Sequence, residues 1–188
     1  FNEAIRVTSI GFNILDTTTL NIENNTIEQQ YRPLNNGITL SSVIPSSLAG
    51  INNNWQIYNN VIKDCFNGIA VSNIRGAELV IEINNIKMKA APGVAIKSGI
   101  RLQNCYKTSI INNSVKGAFG FATSNKYKGV FSSFSISTKV ACNTINTMGQ
   151  SMVFEGPNYG TVAANKMQRA FDGFVLLNNG EIGQQGDA

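Results

Sequence analysis

The sequence predicts an all-β solenoid, a right-handed parallel β-helix of about six coils, and three observations carry that prediction. A phrase of glycine, apolar, variable, apolar recurs as GITL (37–40), GIAV (68–71), GIRL (99–102), GVFS (129–132), SMVF (151–154) and GFVL (173–176). A second phrase alternates with it: an apolar residue, Asn three later, then an apolar residue two beyond. The third observation is the spacing, which reduces to a basic period of 22 residues once insertions are removed. A fixed period of this size is the signature of stacked structural repeats.

Taken in chain order, AIRV (4–7) reads as a first partial rung. LNIENNTI (20–27), WQIYNNVI (55–62), LVIEINNI (79–86), TSIINNSV (108–115), KVACNTI (139–145) and TVAANKM (161–167) supply the second phrase. They align Asn25, Asn60, Asn84, Asn113, Asn143 and Asn165 in one column, with Asn85 as an alternative register for the third. Apolar residues alternate at period two and Gly and Asn interrupt them often, which excludes helical repeats. Leucine-rich repeats share the LxIxxNxI phrase, but here the return segment is a second strand.

In a parallel β-helix successive rungs lie about 4.8 Å apart, so equivalent positions stack. Ile38, Ile69, Ile100, Val130, Met152 and Phe174 are then expected in one inward file, and Leu40, Val71, Leu102, Ser132, Phe154 and Leu176 in a second. The Asn column is expected at a corner, where stacked amides donate and accept along the axis. Glycine before each strand is expected to permit the opposite bend. One domain over 1–188 is expected, as a fragment of a longer chain.

Composition narrows the function classes. Only 14% of the 188 residues are charged, the net charge is +4, and there is no histidine. That is far from a nucleic-acid binder's basic stripe, and no apolar run is long enough to span a membrane. No cofactor or metal is expected without His or a CxxC knuckle. Cys65, Cys105 and Cys142 read as small packing residues. Polysaccharide-cleaving chemistry needs clustered carboxylates, and the outward slots Thr39, Ala70, Arg101, Phe131, Val153 and Val175 bring none together. Phe131, Val153 and Val175 instead form an apolar column, expected to be covered.

Insertions are the remaining signal. The segments 87–97 and 116–128 emerge from one corner in consecutive coils and carry Lys87, Lys89, Lys97, Lys116, Phe119, Phe121, Lys126, Tyr127 and Lys128. Lysines with aromatics suit an anionic polymer or stacked sugar rings, so these residues are the expected binding site. The alternative is that the phenylalanines fold over the core. The insertion at 41–54 reads as a plain surface loop.

The paired xIxxNxI and GIxL phrases resemble the parallel β-helix repeats of the pectate-lyase-like superfamily over nearly the whole chain. MVFEGPNYGTVAANKMQRAFDGFVLLNNGEIGQQG (152–186) is similar to stretches of large secreted surface proteins of Bacteroidetes-type bacteria, exported by the type IX secretion system. The resemblance implies an extracellular or cell-surface location and contact with secretion machinery, but it carries over no catalytic residue. The expected function is a structural or adhesive module presenting loops to a polysaccharide or surface protein. A β-helix lyase or hydrolase with its acidic site partly elsewhere, and an inert secretion cargo or spacer, are the alternatives.

Overall fold

The computed structural model describes residues 3–8, 19–28, 34–41, 54–75, 78–90, 96–118 and 120–182. The first coil is β1 (Glu3–Thr8), β2 (Leu20–Glu23) and β3 (Thr26–Ile27). β4 (Leu34–Ser41), β5 (Asn54–Tyr58) and the start of β6 (Val61–Ser72) make the second. The rest of β6 opens the third, which β7 (Glu78–Glu82) and β8 (Asn85–Met88) complete. The fourth is β9 (Lys97–Gln103), β10 (Thr108–Ile111) and β11 (Ser114–Lys116), and the fifth is β12 (Tyr127–Ser133), β13 (Lys139–Ala141) and β14 (Thr144–Asn146). β15 (Gln150–Ala163) and β16 (Lys166–Gln168) form the sixth, and β17 (Asp172–Ile182) begins another.

Every pairing joins equivalent strands of neighbouring coils in parallel, so the chain is a three-faced parallel β-helix. On face one the register runs Ile5, Ile38, Ile69, Ile100, Val130, Met152, Phe174, and two residues on it runs Val7, Leu40, Val71, Leu102, Ser132, Phe154, Leu176. Both inward files are as expected. Face two contributes Ile22, Ile57, Ile81, Ile110, Val140 and Val162; face three contributes Ile27, Ile62, Ile86, Val115, Ile145 and Met167. Apart from Met167, Phe174 and Leu176 at the last rungs, which are exposed, the apolar members of these files form one core or pack against it. Burying each such side chain contributes about 1.5–3 kcal/mol, which is what holds a chain with little helix-forming potential in this shape.

The Asn column forms the expected ladder, and Asn84 rather than Asn85 occupies the third place. Each side-chain Nδ2 donates to Oδ1 of the Asn on the next rung at 2.8–3.0 Å, from Asn25 through Asn60, Asn84, Asn113 and Asn143 to Asn165. The same Nδ2 donates to a carbonyl of the preceding rung, and the backbone N–H donates to the next Asn Oδ1. Polar groups at a buried corner are thereby satisfied, where leaving one unpaired costs about 1–3 kcal/mol. The residue before each ladder Asn lies in the left-handed region: Asn24, Asn59, Ile83, Asn112, Cys142 and Ala164, with φ between 51° and 59°. Cys142 is thus an exposed turn residue, not the packing residue expected.

The recurring glycines have a different reason from the expected one. Gly37, Gly68, Gly99 and Gly129 are not among the positive-φ residues. A Cβ at any of them would run into the branched face-three residue of its own coil, Ile62, Ile86, Val115 or Ile145. It would also sit 2.5–2.8 Å from the main-chain oxygen of the next rung. Close approach, not a bend, requires glycine. Where the unbranched Met167 takes the face-three place, Ser151 takes the glycine place.

Candidate functional site

The outward side of face one carries three columns that stacking brings side by side. The first is Glu3, Asn36, Asn67, then Ser98, Lys128, Gln150, Asp172; the second is Arg6, Thr39, Ala70, Arg101, Phe131, Val153, Val175; the third is Thr8, Ser41, Ser72, Gln103, Ser133, Glu155, Leu177. A shallow groove of about 180 Å³ lies here, lined by Asn36, Thr39, Asn67, Ala70, Ser72, Arg101 and Gln103, with Val71. Its floor is low because Ala70 is small between Thr39 and Arg101.

Hydrogen bonds fix the groove walls. Asn67 Nδ2 donates to Asn36 Oδ1 at 3.0 Å, and Asn67 Oδ1 accepts from the Ser98 N–H at 2.9 Å. At the near end Glu3 accepts from Asn36 Nδ2 and Thr39 Oγ1, both at 3.1 Å, and pairs with Arg6. At the far end Arg101 donates from Nη2 to Gln103 at 3.4 Å, while its Nε is buried without a hydrogen-bond partner.

Beyond Arg101 the face closes. Phe131 is buried beneath two cations, with Lys128 Nζ 4.0 Å and the Arg101 guanidinium 5.7 Å from the ring centre. Val153 beside it is fully buried, so the apolar column is covered at these two rungs, while Val175 on the last rung is only half-buried. Lys128 is only 4% exposed. Desolvation holds its ammonium below the ordinary lysine range; the charge of Glu155 opposes that shift and Arg101 adds to it. Glu155 itself accepts from Asn178 Nδ2 at 2.6 Å.

A second outward feature occupies face three. Lys63, Lys87 and Lys116 stand in register on three successive rungs, followed by Asn146 and Gln168. Lys87 and Lys116 are exposed, and Lys63 pairs with Glu28 at 3.1 Å. Lys89 and Lys97 are half-buried, and Lys97 lies 5.0 Å over the Phe66 ring.

The residues picked out by the insertions therefore separate. Lys87 and Lys116 come together on one column. Phe121 is 2% exposed in the core, within a short 3-10 turn over Phe121–Thr123, and stacks on Tyr127 at 3.5 Å between ring centres. Lys128 turns to face one and Lys126 stays at the half-exposed rim. Phe119, residues 42–53 of the insertion at 41–54 and residues 91–95 of that at 87–97 lie outside the described residues. Asn67 and Lys63 were not singled out in the sequence, although each sits at a fixed offset from a phrase that was.

Among the described residues no three His, Cys, Asp or Glu side chains cluster to hold a metal ion. Burial pushes the Cys65 thiol up to about 12 and raises that of Cys105, which leaves both protonated and unreactive. No described helix is long and apolar enough to cross a membrane. No protein-family model, curated protein or solved structure matches the chain.

Proposed function

We propose that this chain is a module of a secreted or surface-exposed bacterial protein that binds a glycan along the groove of face one. The observation that carries the reading is the buried, unpartnered Nε of Arg101 at the end of a recess otherwise walled by amides and hydroxyls. Sugar hydroxyls both donate and accept, and such a wall offers both in fixed positions. Pre-formed sites on a rigid scaffold bind with less ordering cost on the protein side.

Binding is favoured over cleavage by the placing of the carboxylates. Asp172 is in register with Gln150 and Glu155 lies five residues farther along that strand, which separates the two acids by roughly 16 Å along the strand direction. Paired-carboxylate hydrolysis uses roughly 5–10 Å. One observation favours the other class: Lys128, with its ammonium destabilised beside Arg101, is the kind of group that abstracts a proton. Export through a type IX system is part of the same proposal and rests on the likeness of residues 152–186.

The test is retention on a panel of immobilised polysaccharides. Arg101→Gln is expected to weaken binding by about tenfold or more, the worth of one charge-assisted hydrogen bond. Ala70→Leu, which fills the groove floor, is expected to abolish retention, with melting unchanged in both. Wild-type binding that neither substitution alters would overturn the groove reading. Release of unsaturated sugars from a uronate polymer, lost in Lys128→Met, would replace binding with elimination.

A further inference from the structure

We infer that face three carries a second, separate binding surface, for a linear polysaccharide bearing one anionic group per sugar and lying along the axis of the β-helix. It does not depend on the groove. The starting point is an arrangement that the isolated fold does not favour. Lys63, Lys87 and Lys116 occupy one outward column, and like charges directly opposite on neighbouring strands repel. Among the described residues the only carboxylate in ion-pair contact with this column is Glu28, at its Lys63 end.

The column is short and bounded. Glu28 pairs with Lys63 at one end, and Asn146 and Gln168 occupy the same register on the two rungs beyond Lys116. Asp64, at the left-handed corner next to Lys63, adds a negative charge on that side. Lys87 and Lys116 are therefore the least compensated pair. Lys89 and Lys97 extend the positive region toward face one, where Lys97 covers Phe66.

Geometry selects the kind of partner. Rungs repeat at about 4.8 Å, close to the rise of one sugar in an extended polysaccharide. A chain along the axis therefore passes its carboxylates or sulfates over the column in step, at each lysine where successive sugars face the same way and at every second lysine where they alternate. A duplex nucleic acid presents two strands of phosphates and calls for a broader basic surface than one column on a chain of net charge +4. Exposed lysines also suit a ligand that keeps most of its hydration and binds by counterion release, which makes the contact steeply salt-dependent.

The experiment uses the full chain with alginate (carboxylated), dextran sulfate (sulfated) and neutral dextran as probes, titrated at low and raised salt. Wild type is expected to bind one or both charged polymers and not dextran, and the two charged arms decide which anionic group is preferred. The double substitution Lys87→Gln, Lys116→Gln is expected to lower affinity at least tenfold and to shallow the salt dependence by about two counterions. Asn146→Lys, which lengthens the column by one rung, is expected to raise affinity severalfold. The control is Lys107→Gln, Lys139→Gln, which changes net charge equally at exposed positions away from face three.

An equal loss in that control would show that net charge, not the column, is responsible and would overturn the inference. So would no binding of wild type at low salt, no response to Asn146→Lys, or tighter binding of duplex DNA than of either polymer. Arg101→Gln is expected to leave alginate and dextran sulfate binding on face three within about twofold, so failure of the groove and failure of the column read out separately.

Discussion

The middle coils and the final strand use the same phrase in different surroundings. At β9 and β12 the inward residues Ile100, Leu102 and Val130 are fully buried, with a rung on each side. At β17 the equivalent Phe174 and Leu176 are 36% and 46% exposed, and Phe171 beside them is 74% exposed. β17 pairs with β15, and among the described residues nothing pairs with its other edge. The difference shows that burial in this fold is a property of neighbouring rungs and not of the phrase. In a solenoid stability accumulates through nearest-neighbour interfaces, so one substitution has a cost set by how many interfaces its site touches.

The widest contrast is expected between the neighbouring, mutually tilted rings of Phe154 and Phe174, whose centres lie 5.4 Å apart. Phe154→Ala opens a cavity in a fully buried site and is expected to cost about 3–5 kcal/mol. Phe174→Ala removes a ring already partly in water and is expected to cost about 1 kcal/mol. Urea unfolding of both variants reads the difference, and equal losses would mean that β17 is covered as well as β15.

A smaller contrast is expected between two glycines of one column. At Gly99 an added Cβ meets Val115 and the Gly129 oxygen, whereas at Gly173 it meets only Met167 Sδ at 3.6 Å. Gly99→Ala is expected to cost about 1–3 kcal/mol through overpacking, and Gly173→Ala to be neutral or slightly stabilising. Adding Val115→Ala should recover part of the Gly99→Ala loss and none at Gly173. An additive double mutant would remove close approach as the reason for glycine.

The smallest expected effect has the opposite sign. Ile83 is a β-branched residue at φ 56° in a column whose neighbours on either side are Asn59 and Asn112. It is also among the exposed large hydrophobics. Left-handed backbone suits Asn and strains branched side chains. Ile83→Asn is therefore expected to stabilise by about 1 kcal/mol, read as a rise in melting temperature; a fall would place a packing role on this side chain.

How much could be read beforehand differs between the inside and the outside of the cylinder. The inward files were legible because water exclusion imposes an apolar residue at every second position and stacking repeats it each coil. The Asn ladder was legible for the same reason, since a buried corner needs a partner for every polar group. Ile83 and Cys142 obscured their column because exposure places no demand there beyond a tolerable backbone. Phe121 could be placed neither in the core nor at a surface from its spacing, because an insertion has no register.

The 22-residue period alone determined the architecture, since identical phrases at a fixed interval bury their apolar faces only by lying over one another. Which lysines share a column, which cation is left with a bare nitrogen, and whether an outward aromatic is covered were decided by tertiary structure. Those outcomes depend on where insertions rejoin the ladder and which side chains reach across rungs. Outward positions carry no packing requirement that would write such outcomes into a repeating pattern.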